Sequence, residues 1–328
     1  METFGRLLAG AIIALGLASF AASATAECLA PPPPSDPAPA ADALATPPTT
    51  GSVIGPSRND ALGRVVAPVT INGQGPFRFI VDTGANHSVV SSSLAARLGL
   101  DASGTGEVHS IQGVAPATLT NVGSIAFGAV TLSSGQTPIL DNTRVLAGEA
   151  GILGVDGMEN RRLRMDFDRH CIEILPADTA RPLHGWIAVR GALKFGHLVV
   201  LRGRIRDVSI NLLVDTGSDG TLGNTALRNA LQGISITRED LANGRAYTAG
   251  RPIVFEQAVI IPDIEMGSLS VTHVTAFIGD FHVFSLWGFD NEPTLLIGMD
   301  VLSQTRQIAI DYRRAIVYFR VRNSPLQQ

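Results

Sequence analysis

Phe77-Arg78-Phe79-Ile80-Val81-Asp82-Thr83-Gly84-Ala85 returns 133 positions later as Ile210-Asn211-Leu212-Leu213-Val214-Asp215-Thr216-Gly217-Ser218. Each copy is an apolar run that ends abruptly in Asp-Thr-Gly. Working outward, Gly151-Ile152-Leu153-Gly154-Val155-Asp156 returns as Leu295-Leu296-Ile297-Gly298-Met299-Asp300, 144 positions on, so the second unit is eleven residues longer. Paired apolar runs follow both times, Leu163 to Asp166 with Cys171 to Leu175, and Gln307 to Asp311 with Ala315 to Phe319. Three elements recurring in one order make the chain a tandem repeat of two lobes.

The repeated elements read as strands, because Val, Ile and Phe cluster in short runs bounded by Gly, Pro, Asn and Asp. Val65 to Ile71, the turn Asn72-Gly73-Gln74-Gly75 and Phe77 to Val81 form a predicted hairpin feeding the first Asp-Thr-Gly. Leu198 to Ile205 and Val208 to Val214 repeat it around Arg206-Asp207. Helices are expected only at Ser92 to Leu98, Thr225 to Leu231 and the turns beginning at Asp156 and Asp300. Asp156 has capping-box spacing to Glu159, and Asp300 stands before Val301-Leu302-Ser303-Gln304, so both read as helix N-caps. The expected fold is mostly β: two homologous small barrels with few short helices.

The chain has 328 residues, 45% hydrophobic and 16% charged, with a formal charge of −4. Nothing resembles the concentrated basic field that phosphate binding needs, so nucleic acid is not an expected partner. The 7 histidines show no HxH or HExxH spacing, and 2 cysteines without CxxC spacing make no zinc ribbon, so no metal is expected. Arg6 precedes an uncharged stretch, Leu7 to Ala26, that closes on Ala24-Thr25-Ala26, so residues 1–26 read as a cleaved secretory signal. Uncleaved, that stretch would instead be a membrane anchor; both readings place the rest in the periplasm or outside the cell. Residues 27–56 read as a disordered Pro-rich linker, since eight of the 19 prolines fall between 30 and 50 and favour an extended spacer. The lobes are then assigned to 57–180 and 181–328, with no later run long enough to span a membrane. In an oxidising compartment Cys28 and Cys171 can pair, although Cys171 also suits an ordinary buried strand position.

Asp-Thr-Gly after an apolar strand, twice, each with its apolar-apolar-Gly element, resembles the aspartic peptidases of the retropepsin and pepsin superfamily. The chain looks like two retropepsin-sized units fused into a pepsin-like bilobal enzyme, over about residues 60 to 320. The resemblance implies retropepsin-like β-barrel lobes and an endopeptidase that needs no cofactor, acts on protein or peptide, and works as a monomer. It makes Asp82 and Asp215 the catalytic pair, Thr83 and Thr216 the cross-lobe grip, and Gly84 and Gly217 the close-approach glycines. Chemistry agrees: two adjacent carboxylates share one proton, so one can take a proton from water while the other gives one to the peptide carbonyl.

Ser218 can hydrogen-bond a carboxylate where Ala85 cannot, which makes the two sides unequal. Asn86 and Asp219 occupy places where the family often carries a substrate-contacting acid, and here only the second lobe keeps it. His109 to Thr118 and Gly244 to Val254 lie where a covering hairpin would fall, with Tyr247 a candidate cover for the dyad and contact to substrate; an ordinary surface hairpin is the alternative reading of both. Two rivals remain at this point. One is an exported peptide-binding protein that kept this fold without catalysis. The other is an ATP-binding protein of the actin and sugar-kinase type, which fits neither the export signal nor the repeated Gly-rich elements.

Overall fold

The computed structural model describes residues 53–141, 144–180, 183–234, 236–238, 245–246, 253–255 and 257–322. In the first lobe, strands pair in the spatial order Val65–Ile71, Gln74–Val81, Gly151–Leu153, Val89–Ser91, Val130–Leu140, Val114–Phe127 and Ala102–His109. Thr70 stands opposite Ala126, so the first of these strands also meets the sixth and the sheet curls into a barrel. The second lobe follows the same order through Leu198–Ile205, Val208–Val214, Thr294–Ile297, Thr221–Gly223, Leu269–Ile278 and Gln257–Met266, closed by Arg204 opposite Glu265.

The repeated Gly-rich elements are the strands that run parallel to the Asp-Thr-Gly strands. Ile80 pairs with Ile152 and Val81 with Leu153; Leu213 pairs with Leu296 and Val214 with Ile297. Ile210 to Val214 and Thr294 to Ile297 are buried throughout. A strand covered on both faces needs no polar alternation, which is why these segments are mostly apolar, with Asn211 and Thr294 the buried polar exceptions.

Two helices lie where expected. Ser91 Oγ accepts the Leu94 amide at 3.1 Å ahead of Ser92–Leu98, and Asn224 Oδ1 accepts the Leu227 amide at 2.9 Å ahead of Thr225–Ala230. The N-cap assignments of Asp156 and Asp300 are corrected. Asp156 begins no helix, and the short helix Met299–Leu302 is capped by Gly298, with Asp300 inside its first turn. Both carboxylates are occupied elsewhere: Asp156 Oδ1 accepts the Ser88 hydroxyl at 2.6 Å, and Asp300 Oδ1 accepts the Thr221 hydroxyl at 2.8 Å. A further helix, His282–Leu286, has no side-chain cap and left no start signal in the sequence.

A sheet shared by both lobes joins the barrels. Its order is Val53–Pro56, Cys171–Pro176, Arg161–Asp166, Gln307–Asp311, Ile316–Arg320 and Ile187–Lys194. The expected linker boundary at residue 56 is therefore corrected, because Val53–Pro56 is already an edge strand against Cys171–Ile174. Cys171 is disulfide-bonded, and Cys28, the other cysteine of the sequence, lies outside the described residues. No helix among the described residues is long and apolar enough to cross a membrane.

The lobes meet where Arg161–Asp166 and Gln307–Asp311 run antiparallel with Leu163 opposite Ile310 and Met165 opposite Ile308, all buried. At one end of the ladder Arg162 Nη2 lies 2.9 Å from Asp311 Oδ2, and at the other the Gln307 amide donates to Asp166 Oδ2. The seam thus carries an ion pair on one side of its approximate twofold axis and an amide–carboxyl hydrogen bond on the other. Asp311 also accepts Arg314 Nη1 at 2.9 Å. Asp311→Ala, which removes the buried carboxylate that pairs with Arg162 and Arg314, should cost about 3–5 kcal/mol. Asp166→Ala, which releases an amide and the Arg169 backbone N–H, should cost about 1–3 kcal/mol. Urea midpoints of the two variants check that order.

Candidate active site

Each Asp-Thr-Gly begins where its strand leaves the barrel. The Asp82 amide donates to Leu153 O and the Asp215 amide to Ile297 O, both at 2.9 Å, so the Gly-rich strands fix where each carboxylate starts. Each side chain then folds back over its own loop. Gly84 N donates to Asp82 Oδ1 and Gly217 N to Asp215 Oδ1, both at 2.8 Å.

The threonines tie the loops across the lobe boundary. Thr83 Oγ1 donates to Val214 O at 2.7 Å and accepts the Thr216 amide at 3.1 Å. Thr216 Oγ1 donates to Val81 O at 2.6 Å and accepts the Thr83 amide at 3.2 Å. Both hydroxyls are buried with donor and acceptor capacity used, so neither loop can shift without breaking bonds in the other.

The glycines let the carboxylates meet. A Cβ on Gly84 would stand 2.7 Å from Asp215 Cγ, and one on Gly217 would overlap the Asp82 carboxylate. Each carboxylate therefore packs on the other lobe's glycine, which brings the two carboxyl groups close enough to act on one another. Beneath the loops, the Ser88–Asp156 and Thr221–Asp300 pairs support Gly154 and Gly298: Gly154 N donates to Ser88 Oγ at 3.1 Å, and Gly298 N to Thr221 Oγ1 at 3.2 Å. Ser88 and Thr221 both stand six residues after their aspartate, a correspondence that extends the repeat to a hydroxyl and its acid.

A model of the aspartyl protease family matches residues 67–156 and 201–301. This chain belongs to the aspartyl protease family. No curated protein matches it. The two matched regions coincide with the two barrels, and each contains one Asp-Thr-Gly.

Within this family frame the two aspartates are unequal. Asp215 is only 7% exposed, whereas Asp82 is half-buried. Burial, followed by the negative charge of Asp82, holds the Asp215 carboxyl well above the usual carboxylate range. Burial raises Asp82 too, opposed by the hydrogen bond from Asp215, by the Gly84 and Ala85 amides and by the charge of Arg64. Two adjacent carboxyls that are both raised hold one proton between them, and Asp215 is the one raised well above its usual range.

Ser218 does not supply the inequality expected of its hydroxyl, which donates to Gly220 O at 2.7 Å; its backbone amide is the group that faces Asp215. Asn86 is half-buried beside Gly196 of the second lobe, and its Oδ1 is buried without a hydrogen-bond partner. Asp219 is exposed, and its carbonyl accepts the Asp300 amide at 3.1 Å. Tyr247 lies outside the described residues. The hairpin Ala102–His109 with Val114–Phe127 reaches the other lobe: Ile111 O accepts the His282 amide at 2.8 Å, and His109 Nδ1 lies 3.0 Å from His282 Nε2. Among the described residues no group of three or more His, Cys, Asp and Glu is placed to hold a metal ion.

The raised Asp215 carboxyl has a consequence for stability. Its folded state holds a proton more tightly than the unfolded chain, where aspartate titrates near pH ~4. That contribution is full below the unfolded value and is lost as pH rises from there through the raised folded value. Asp215→Asn, which cannot ionise, should therefore melt at a higher temperature than the wild type, by a margin that grows as pH increases from about 4. Thermal scans across pH 3 to 8 measure it; a margin that shrinks with rising pH would refute the protonation assignment.

Proposed function

We propose that the protein is an aspartic endopeptidase, exported from the cytoplasm, that hydrolyses peptide bonds at the junction of its two lobes as a monomer. The observation that carries this reading is the pair of carboxyl groups, one from each lobe, each packed on the other lobe's glycine at the end of a symmetric scaffold. Two such groups in one partly desolvated place differ in protonation, and that difference is what a general base and a general acid require. A protein that only bound peptides would have no use for so costly an arrangement.

In the reaction, ionised Asp82 takes a proton from a water molecule as its oxygen attacks the scissile carbonyl carbon. Protonated Asp215 gives its proton to the carbonyl oxygen, forming a neutral gem-diol. Asp82 then passes its acquired proton to the leaving nitrogen while a diol hydroxyl returns a proton to Asp215. The carbon–nitrogen bond breaks, and the dyad regains its starting state with one water consumed. The hairpin that reaches His282 suits a cover over bound substrate.

Both carboxyl groups come from one chain, so activity per molecule should stay constant on dilution. Asp82→Asn and Asp215→Asn should each lower kcat by about a thousandfold or more with the fold retained, the scale expected for losing general acid or base catalysis. The pH profile should be bell-shaped: activity falls at low pH when both carboxyls are protonated and at high pH as Asp215 loses its proton. Mass-spectrometric digestion of a mixed peptide library measures all three. Peptide binding without turnover by the wild type would leave the binding-protein reading instead. Intact mass of the protein from cells tests export, with residues 1–26 absent if the signal is removed.

A further inference from the structure

Arg64 ends a tight turn just before the first strand of the first lobe. Its guanidinium is 4% exposed and is ion-paired at 2.6 Å with Asp60, whose side chain is fully buried. Asp60 is saturated: Oδ2 takes Arg64 Nε at 2.7 Å, and Oδ1 takes the Leu62 and Arg64 amides at 2.9 Å each. The remaining arm of the guanidinium points to the other lobe, with Nη1 3.5 Å from Gly217 O. Gly217 is the residue whose Cα packs on the Asp82 carboxylate. A buried ion pair is weak support for a fold, and this one presents its positive end to the back of the catalytic loop.

Among the described residues the second lobe shows no counterpart. His197 holds the matching place, immediately before Leu198–Ile205 and eighteen residues ahead of Asp215, as Arg64 is ahead of Asp82. Its side chain is 41% exposed and lies 3.8 Å from Glu159. The Gly217 loop thus has a buried guanidinium against its carbonyl, whereas the matching place in the second lobe holds a partly exposed imidazole turned to Glu159. The ionisable groups acting on Asp82 are Asp215, Arg64 and Tyr312, and the Tyr312 phenol is buried without a hydrogen-bond partner.

We propose that Arg64 is a positioning residue that allots the shared proton. Held by Asp60 against the Gly217 carbonyl, it keeps the negative charge on Asp82 and leaves the proton on Asp215, which makes Asp82 the base and Asp215 the acid of the first step. The proposal rests on the endopeptidase reading and goes beyond it by saying what breaks the symmetry of the pair.

The test is the pH dependence of kcat/KM on a cleaved library peptide, measured with full-length variants. Asp60→Asn combined with Arg64→Met removes both buried charges at nearly constant volume and leaves neither partner stranded. It should move the acidic limb upward by about half a pH unit to one unit, a threefold to tenfold change in proton affinity. Arg64→Lys keeps the charge and should keep the wild-type limb. Asp60→Asn alone leaves the guanidinium less neutralised and should move the limb downward, so the sign of the effect is available even if the double variant does not fold. Reduced kcat with an unmoved limb in these variants would reduce Arg64 to a structural role and overturn the proposal. Absence of cleavage by the wild type would instead overturn the endopeptidase reading.

Discussion

Two carboxyl groups that cannot both ionise stand against each other across the boundary between two lobes, and the surrounding structure is arranged to hold them there. A buried carboxylate pair is unfavourable unless it shares a proton and has its remaining lone pairs occupied. Gly84 and Gly217 supply amides from the loops themselves, and the threonines lock those loops to each other through bonds that cross the boundary. Behind them, the parallel strands Gly151–Leu153 and Thr294–Ile297 fix the height of each loop. The shared sheet fixes the distance between the barrels.

Much of this was legible in the sequence because it was written twice. The Asp-Thr-Gly copies, their Gly-rich partners and the paired runs at the end of each unit gave the barrels, their order and the residues that meet. The single features were harder. Val53–Pro56 becomes a strand only because Cys171–Ile174 offers it an edge, which no local pattern announces. His282–Leu286 is a helix of five residues without a cap. Asp156 and Asp300 carried the local pattern of helix caps and were misread for that reason. Their partners, Ser88 and Thr221, are distant in sequence, and a distant hydroxyl outcompeted the local amide.

Arg64 was invisible for a different reason. Nothing in Asn59-Asp60-Ala61-Leu62-Gly63-Arg64 distinguishes a surface turn from a buried one, and an exposed Asp and Arg four apart are ordinary on a protein surface. Its significance depends on the Gly217 carbonyl of the opposite lobe. The same holds for Tyr312, whose burial near Asp82 follows from the way the end of one hairpin continues the ladder of the other, with its amide donating to Arg161 O at 3.1 Å.

The unequal features share one origin. Two identical chains related by a twofold axis must present the same residue to both sides of that axis, so a symmetric pair of carboxyls cannot be assigned different roles by its scaffold before substrate arrives. Fusion into one chain lifts that constraint, and here the lobes differ in groups outside the dyad while the dyad's own loop contacts remain matched. The threonine grip, the glycine contacts and the loop amides are duplicated nearly bond for bond. Arg64 against His197, Asn86 against Asp219, and the ion-paired end of the seam against its amide–carboxyl end are not. A scaffold that keeps geometry symmetric while making electrostatics asymmetric retains the close approach that both carboxyls need and still distinguishes a base from an acid.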